Sequence, residues 1–211
     1  MGGGGVGGKG KGGRAGGTKG RRSGMESGQP VNVTMKVEKD LPHLGRRDVC
    51  AIGFAVFAEA AERNGMRIVH FSIQSNHVHL IVESKGTRAL RLGMQGLTIR
   101  LAKRLNKHLC RRGKVFPDRY HVEPLKTPTQ VRHALRYVLN NARKHAGSRK
   151  KFTARWVDPC STASAFDGWR ETPKCPGDSA PSMPSAGTWL LRVGWRRRAR
   201  IPIDEIPGPR R

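Results

Sequence analysis

From Val31 to Val37 apolar and polar residues alternate (VNVTMKV), the period of a strand with one wet face. The period then lengthens. Arg46 to Asn64 carries Val49, Ile52, Gly53, Val56, Phe57 and Ala60 at helical spacing, and Gly65 follows as a left-handed cap. Two further apolar stretches, Met66 to Ile73 and His77 to Glu83, are separated only by Gln74, Ser75 and Asn76, which predicts an antiparallel hairpin. A long helix is expected from Thr87 to Cys110, with Leu90, Met94, Leu97, Leu101 and Leu105 as its buried stripe. Residues 115 to 125 (VFPDRYHVEPL) read as a strand interrupted by Pro117 and Pro124, a composition suited to a sheet edge. Last comes a helix from Gln130 to Ala146, entered through Pro128 with Thr127 or Thr129 as cap and closed by Gly147.

The flanks lack this patterning. Residues 1 to 28 are largely glycine interspersed with Lys9, Lys11, Arg14, Lys19, Arg21 and Arg22, and such a composition cannot bury enough apolar surface to order itself. Met25 stands just before the patterned region as an alternative start. Residues 158 to 187 are rich in Pro, Gly and Ser and read as a linker or arm. Thr188 to Arg200 (TWLLRVGWRRRAR) is a short basic segment whose Trp189 and Trp195 either pack on the domain or stack on bases. Three regions follow: a disordered tail over 1–28, a domain over 29–157 and an irregular extension over 158–211.

Charge narrows the partner. The 211 residues hold 41 Lys plus Arg against 15 Asp plus Glu, a formal charge of +26, which attracts a polyanion at physiological salt. Nucleic acid leads and an anionic membrane competes, but no apolar run approaches the length of a spanning helix and no signal-peptide pattern is present. A soluble, cytoplasmic and nucleoid-associated protein is expected. The long helix carries Arg88, Arg91, Arg100, Lys103, Arg104 and Lys107 on its outer surface and runs into Arg111, Arg112 and Lys114. With few acidic residues interleaved, that surface is expected to contact phosphate. The cysteines, Cys50, Cys110, Cys160 and Cys175, show no Cys-x-x-Cys spacing, which argues against a structural zinc site. Cys50 and Cys110 read as small core residues.

Chemistry enters at His77, Val78 and His79. Residues two apart on a strand share a face, so two imidazoles lie side by side while Val78, Leu80 and Val82 face a core. This is a bidentate site for a divalent ion or, equally, a pair of half-exposed strand histidines. Glu83 has the same parity as the histidines. On the last helix Tyr137 and Asn141 are four apart, about 40° from one another, beside the apolar stripe of Val131, Ala134, Leu135, Val138 and Ala142.

The succession of strand, helix, hairpin with Asn76-His77-Val78-His79-Leu80, basic helix, edge strand with Phe116 to His121 (FPDRYH), and helix with Tyr137 to Asn141 (YVLNN) resembles the single-tyrosine HUH transposases. The likeness is to the transposase IS200-like domain, and particularly to its REP-associated tyrosine transposase branch. It covers residues 31 to 147, with two departures. Ala142 stands where the family usually has Pro, and Gln74 and Ser75 stand where Met-Pro is common.

The resemblance implies an α/β (α+β) fold, a ferredoxin-like antiparallel sheet with helices packed on one face, commonly in a homodimer with a monomer as the alternative. It implies a divalent metal, Mg²⁺ or Mn²⁺, held by His77, His79 and a third ligand, Asn141, with Glu83 as the rival. It further implies that Tyr137 attacks a phosphodiester of single-stranded or hairpin DNA, leaving a 5′-phosphotyrosine and a 3′-hydroxyl. Arg100, Lys103, Arg104, Lys107, Arg111, Arg112 and Arg119 are the expected DNA contacts. The residue types suit that reaction, because a phosphodiester is anionic and needs charge neutralisation in its transition state. Tyr120 is the other tyrosine and has no helical amide partner. Two other readings remain: a catalytically silent nucleic-acid binder of the same fold, and a metallohydrolase using metal-bound water.

Overall fold

The computed structural model describes residues 1–2, 27–146, 152–175 and 180–208. Most of the proposed N-terminal tail therefore lies outside the described residues, as does Gly147 at the end of the last helix. The strands are β1 (Val31–Lys36), β2 (Glu62–Arg63), β3 (Met66–Ile73), β4 (His77–Ser84) and β5 (His121–Pro124). The helices are α1 (Arg47–Ala60), α2 (Thr87–His108), α3 (Pro128–Leu139), α4 (Asn141–Ala146) and α5 (Trp189–Arg192). The strands form one sheet in the order β2-β3-β4-β1-β5, antiparallel at every pairing. Setting aside the two-residue β2, the chain runs β-α-β-β-α-β with β1 inserted between β4 and β5, which is the ferredoxin-like arrangement.

Register decides which side chains meet. Val33 of β1 pairs with Leu80 of β4, Met35 with Val78, and Thr34 with His79. The valines, Met35 and Leu80 join Phe71, Phe57 of α1 and Leu97 of α2 in one core, so α1 and α2 cover one face as expected. Gly93 permits the contact of α2 with the sheet, since a Cβ there would stand 2.6 Å from the sulfur of Met66.

The opposite face has its own core. Ile81 of β4 packs with Val131, Leu135 and Val138 of α3, and with Phe166, Trp169, Trp195, Ile201 and Ile203 from the C-terminal region. The extension is irregular, as its composition predicts, yet residues 180–208 strap across α3. Glu83 anchors the strap, accepting hydrogen bonds from the backbone N–H groups of Gly187 (2.7 Å) and Thr188 (2.8 Å) and from the Thr188 hydroxyl (2.7 Å). Farther along, Glu205 pairs with Arg132 (2.9 Å) and Arg136 (2.6 Å) of α3. Burial raises the Glu205 pKa, but the two guanidiniums outweigh it and hold the carboxyl below its ordinary range.

Three helix ends differ from the sequence expectation. The first helix, expected to reach Asn64 with Gly65 as its cap, stops at Ala60, because Glu62 and Arg63 pair with β3 as β2 and Gly65 (φ 71°) makes the turn between those strands. The helix expected to run from Gln130 to Ala146 begins at Pro128, with Thr127 and Gln130 as a reciprocal capping box, and breaks at Asn140 (φ −104°, ψ 14°). There the Asn140 side-chain amide donates to the carbonyls of Pro202 (3.4 Å) and Glu205 (3.2 Å), which ties the break to the strap. Cys110 is not a core residue. It is exposed and left-handed (φ 48°), just past the end of α2, where Arg111 N–H closes back on the Asn106 carbonyl (2.9 Å). Among the described residues no helix is long and apolar enough to cross a membrane.

His70 sits under the strap, its Nδ1 3.2 Å from Thr162 Oγ1 and its ring edge-on to Phe166. Burial pushes its pKa down to about 4. The unfolded chain therefore binds a proton that the folded one refuses, so this contribution is complete above about pH 6.5 and is lost as pH falls toward 4. Wild type is expected to lose roughly 2 kcal/mol on this account between pH 7 and pH 5. His70→Gln, which keeps a polar group but does not titrate, should lose correspondingly less, as measured by urea unfolding at both pH values.

Candidate active site

His77 and His79 project from β4 toward α3, because Ile81, two positions on, belongs to the core beneath that helix. Their ring centroids are 4.6 Å apart at 83°. Each ring is oriented through Nδ1. His77 Nδ1 lies 2.8 Å from Asn76 Oδ1, and since an amide oxygen only accepts, the contact is made by a proton on Nδ1. His79 Nδ1 lies 3.0 Å from Thr34 Oγ1, on the neighbouring strand. Partners on Nδ1 fix the rings, so that Nε2 would be the nitrogen to hold a metal ion. Thr34 and Asn76 were not singled out from sequence as supports. The signal for Thr34 was its place beside His79, which only the sheet register reveals.

Tyr137 and Asn141 reach the histidines from the opposite side. The Tyr137 ring stands edge-on to His79 at 5.0 Å and is half-buried. Asn141 is fully buried, with Nδ2 3.4 Å from His77 Nε2, and its Oδ1 is buried with no hydrogen-bond donor. The two residues share an edge as expected, though on two short helices on either side of the Asn140 break. Lys144 of α4 holds its ammonium 5.0 Å from the Tyr137 ring centroid. Four residues from two distant segments of one chain thus meet at one place.

The rival assignments fall elsewhere. Glu83 has the parity of the histidines but is committed to Gly187 and Thr188. Tyr120 packs against the α1/α2 core, on the other face of the sheet. Among the described residues no group of three or more His, Cys, Asp or Glu gathers into a metal site, so a third donor beside the two imidazoles would be the Asn141 amide.

The expected basic surface is displaced from this site. Arg100, Lys103, Arg104 and Lys107 lie on α2, which packs against the sheet face opposite the histidines. Some of its charge is also neutralised, contrary to the expectation of an unpaired surface: Arg104 pairs with Glu59 of α1 (2.6 Å) and Arg111 with Asp40 (2.9 Å). Arg112 and Arg119 are exposed in the loop leading to β5. On the histidine face, the basic surface is the strap, where Arg192, Arg197, Arg198 and Arg200 are exposed. Trp189 is 50% exposed there, with the Arg197 guanidinium 5.0 Å above its ring.

Residues 49–141 match the family described as Transposase IS200 like, a stretch that contains both histidines, Tyr137 and Asn141. Over these residues the chain is similar to the IS200-like transposases. Two solved structures are similar. One, described as a REP-associated tyrosine transposase bound to a REP hairpin, is 14% identical over 63% of this chain and 77% of that one, with a TM-score of 0.48. The other, a putative transposase from Deinococcus radiodurans R1, is 17% identical over 52% of this chain and 86% of that one, with a TM-score of 0.42. No curated protein matches the chain.

Proposed function

We propose that this protein is a metal-dependent single-strand DNA endonuclease and strand transferase that works through a 5′-phosphotyrosine at Tyr137. The observation that carries the reading is the meeting of Tyr137 and Asn141 with His77 and His79, at 5.0 Å between rings and 3.4 Å between nitrogens. A tyrosine packed on the core for structure alone would not require a strand histidine pair with both Nδ1 atoms engaged, nor a buried amide beside it.

The donor set fits a divalent cation. An amide oxygen buried without a donor costs about 1–3 kcal/mol by itself, and Asn141 Oδ1 is such an atom. Together with two imidazole nitrogens it suits Mg²⁺ or Mn²⁺, with positions left for a phosphate. Held by His77, His79 and Asn141, the ion would neutralise charge on a non-bridging phosphate oxygen.

The rest of the chemistry belongs to the side chains. The Tyr137 Oη–phosphorus bond forms as the phosphorus–O3′ bond breaks. The phenol gives up its proton, and the departing 3′-oxygen gains one. The Lys144 ammonium stands over the face of the Tyr137 ring, 5.0 Å from its centroid, where a cation is attracted to the aromatic face and helps to place it. One phosphate ester replaces another, so attack by a 3′-hydroxyl on the phosphotyrosine reseals the strand. All four residues come from one chain, and a homodimer would carry two such sites, each with its own tyrosine. Single-stranded or hairpin DNA would lie on the Trp189 and arginine surface of the strap, where base stacking and phosphate contact are combined, rather than on α2.

The test is a labelled single-stranded library incubated with the full chain and resolved under denaturing conditions. A covalent protein–DNA band with Mn²⁺ or Mg²⁺, lost with EDTA and restored by excess Mn²⁺, is expected. Free 5′-phosphate ends without a band would favour hydrolysis by water instead. Binding without cleavage would leave a silent nucleic-acid binder.

A further inference from the structure

Beside Tyr137, between β1 and β5 on one side and α3 on the other, the chain forms a groove of about 380 Å³. Its lining includes Asn32, Glu123, Leu125, His133, Tyr137 and Pro207. The floor holds an anomaly. Asn32 is 3% exposed, its Nδ2 donates to Glu123 Oε2 at 3.5 Å, and its Oδ1 is buried with no donor. Buried polar atoms are almost always paired, and a lone buried acceptor is destabilising. The register places Asn32 opposite Ile81 and Glu123, hence on the face of the sheet that carries the histidines.

We propose that this groove is a nucleobase subsite, in which Asn32 Oδ1 accepts a hydrogen bond from the exocyclic amino group of the base adjoining the scissile phosphate. The assignment rests on the proposed nicking by Tyr137. Because Tyr137 forms one wall, a nucleotide whose phosphate meets the hydroxyl has its base within reach of the groove. Leu125, Pro207 and the His133 ring supply surfaces on which a base packs. Glu123 spends an oxygen on Asn32 Nδ2, which fixes the amide so that the acceptor, and not the donor, is left for the ligand. Adenine, cytosine and guanine carry an exocyclic amino group, and thymine does not. A site with a buried acceptor rejects a ligand that leaves it unpaired.

The experiment uses the full chain, Mn²⁺ and a random single-stranded library. Adducts are recovered, and the bases on both sides of the cut are read from the bound strand and from the released 3′-hydroxyl fragment. Wild type is expected to enrich amino-bearing bases at one flanking position, and Asn32→Leu, nearly isosteric and without an acceptor, to lose that enrichment. In the selected sequence, removing the amino group (purine for adenine, inosine for guanine) should lower kcat/KM about tenfold or more for wild type and little for Asn32→Leu. A purely structural Asn32 would instead show equal enrichment in both proteins and equal response to the missing amino group, and either result overturns the subsite. Thermal melting of Asn32→Leu separates this from loss of fold, since removal of a lone buried acceptor should leave stability equal or higher. Adducts without enrichment sink only the subsite, whereas a wild-type library without any adduct sinks the nicking reading and the subsite with it.

Discussion

Tyr137→Phe is expected to abolish the covalent protein–DNA band, lowering strand cleavage by more than about a thousandfold, as removal of a nucleophile does. Its affinity for the same oligonucleotide should stay within about twofold, because the lost hydroxyl lies at the edge of the half-buried ring and the edge-on contact with His79 needs only the ring. The comparison variant is Tyr120→Phe. Tyr120 packs against the α1/α2 core, across the sheet from the histidines, so that variant should still form the adduct. Denaturing gels with labelled single strands, and fluorescence anisotropy for affinity, check both halves. If the adduct survived Tyr137→Phe and disappeared with Tyr120→Phe, the geometry described for the site would not be the one that cuts.

Trp195→Ala is expected to cost about 3–5 kcal/mol, the range for deleting a large buried aromatic, and to lower Tm by roughly 10 °C for a chain of this size. Trp195 is 1% exposed. Its Nε1 donates to the Leu191 carbonyl at 3.0 Å, and its ring stacks on Phe166 at 5.5 Å and 27°. Gly168 is required alongside, since a Cβ there would stand 2.3 Å from both Trp195 and Phe166. This cluster covers α3, the helix that delivers Tyr137, so adduct formation should fall together with stability. Trp189→Ala is the contrast. Trp189 is half exposed and its removal should change stability by about 0.5 kcal/mol or less while weakening binding to single-stranded DNA about tenfold. Calorimetry and anisotropy on the two variants separate a tryptophan that holds the strap from one that faces a ligand.

Reading outward from local pattern, the sequence goes a long way for this chain. Alternation in Val31 to Val37 and in the hairpin sets strands whose odd and even residues divide between two faces, and Leu90, Met94, Leu97, Leu101 and Leu105 bury one stripe of α2 as their spacing requires. The histidine pair follows from the two-residue period alone. Where the reading departs from the structure, long-range partners intervene. The helix carrying Tyr137 breaks at Asn140, whose side-chain amide is held by two carbonyls more than sixty residues away. Likewise Arg104 of α2 and Arg111 just beyond its end find acids that no local window contains, Glu59 on α1 and Asp40 before it.

The extension is the larger lesson. Residues 158–208 lack any period, because irregular chain buries its apolar residues singly, through Trp169, Trp195, Ile201 and Ile203, rather than along a stripe. Period is therefore silent about them, while α3 depends on them for its outer cover. Sequence by itself determined the elements, their wet and dry faces, the charge and the reactive residue types, since each is set by neighbours along the chain. Only the tertiary structure decided that Asn141 rather than Glu83 faces the histidines, that Thr34 orients His79, and that the strap rather than α2 shares the site's face. Those outcomes depend on strand register and on which face each helix covers, both fixed by contacts between residues far apart in the chain.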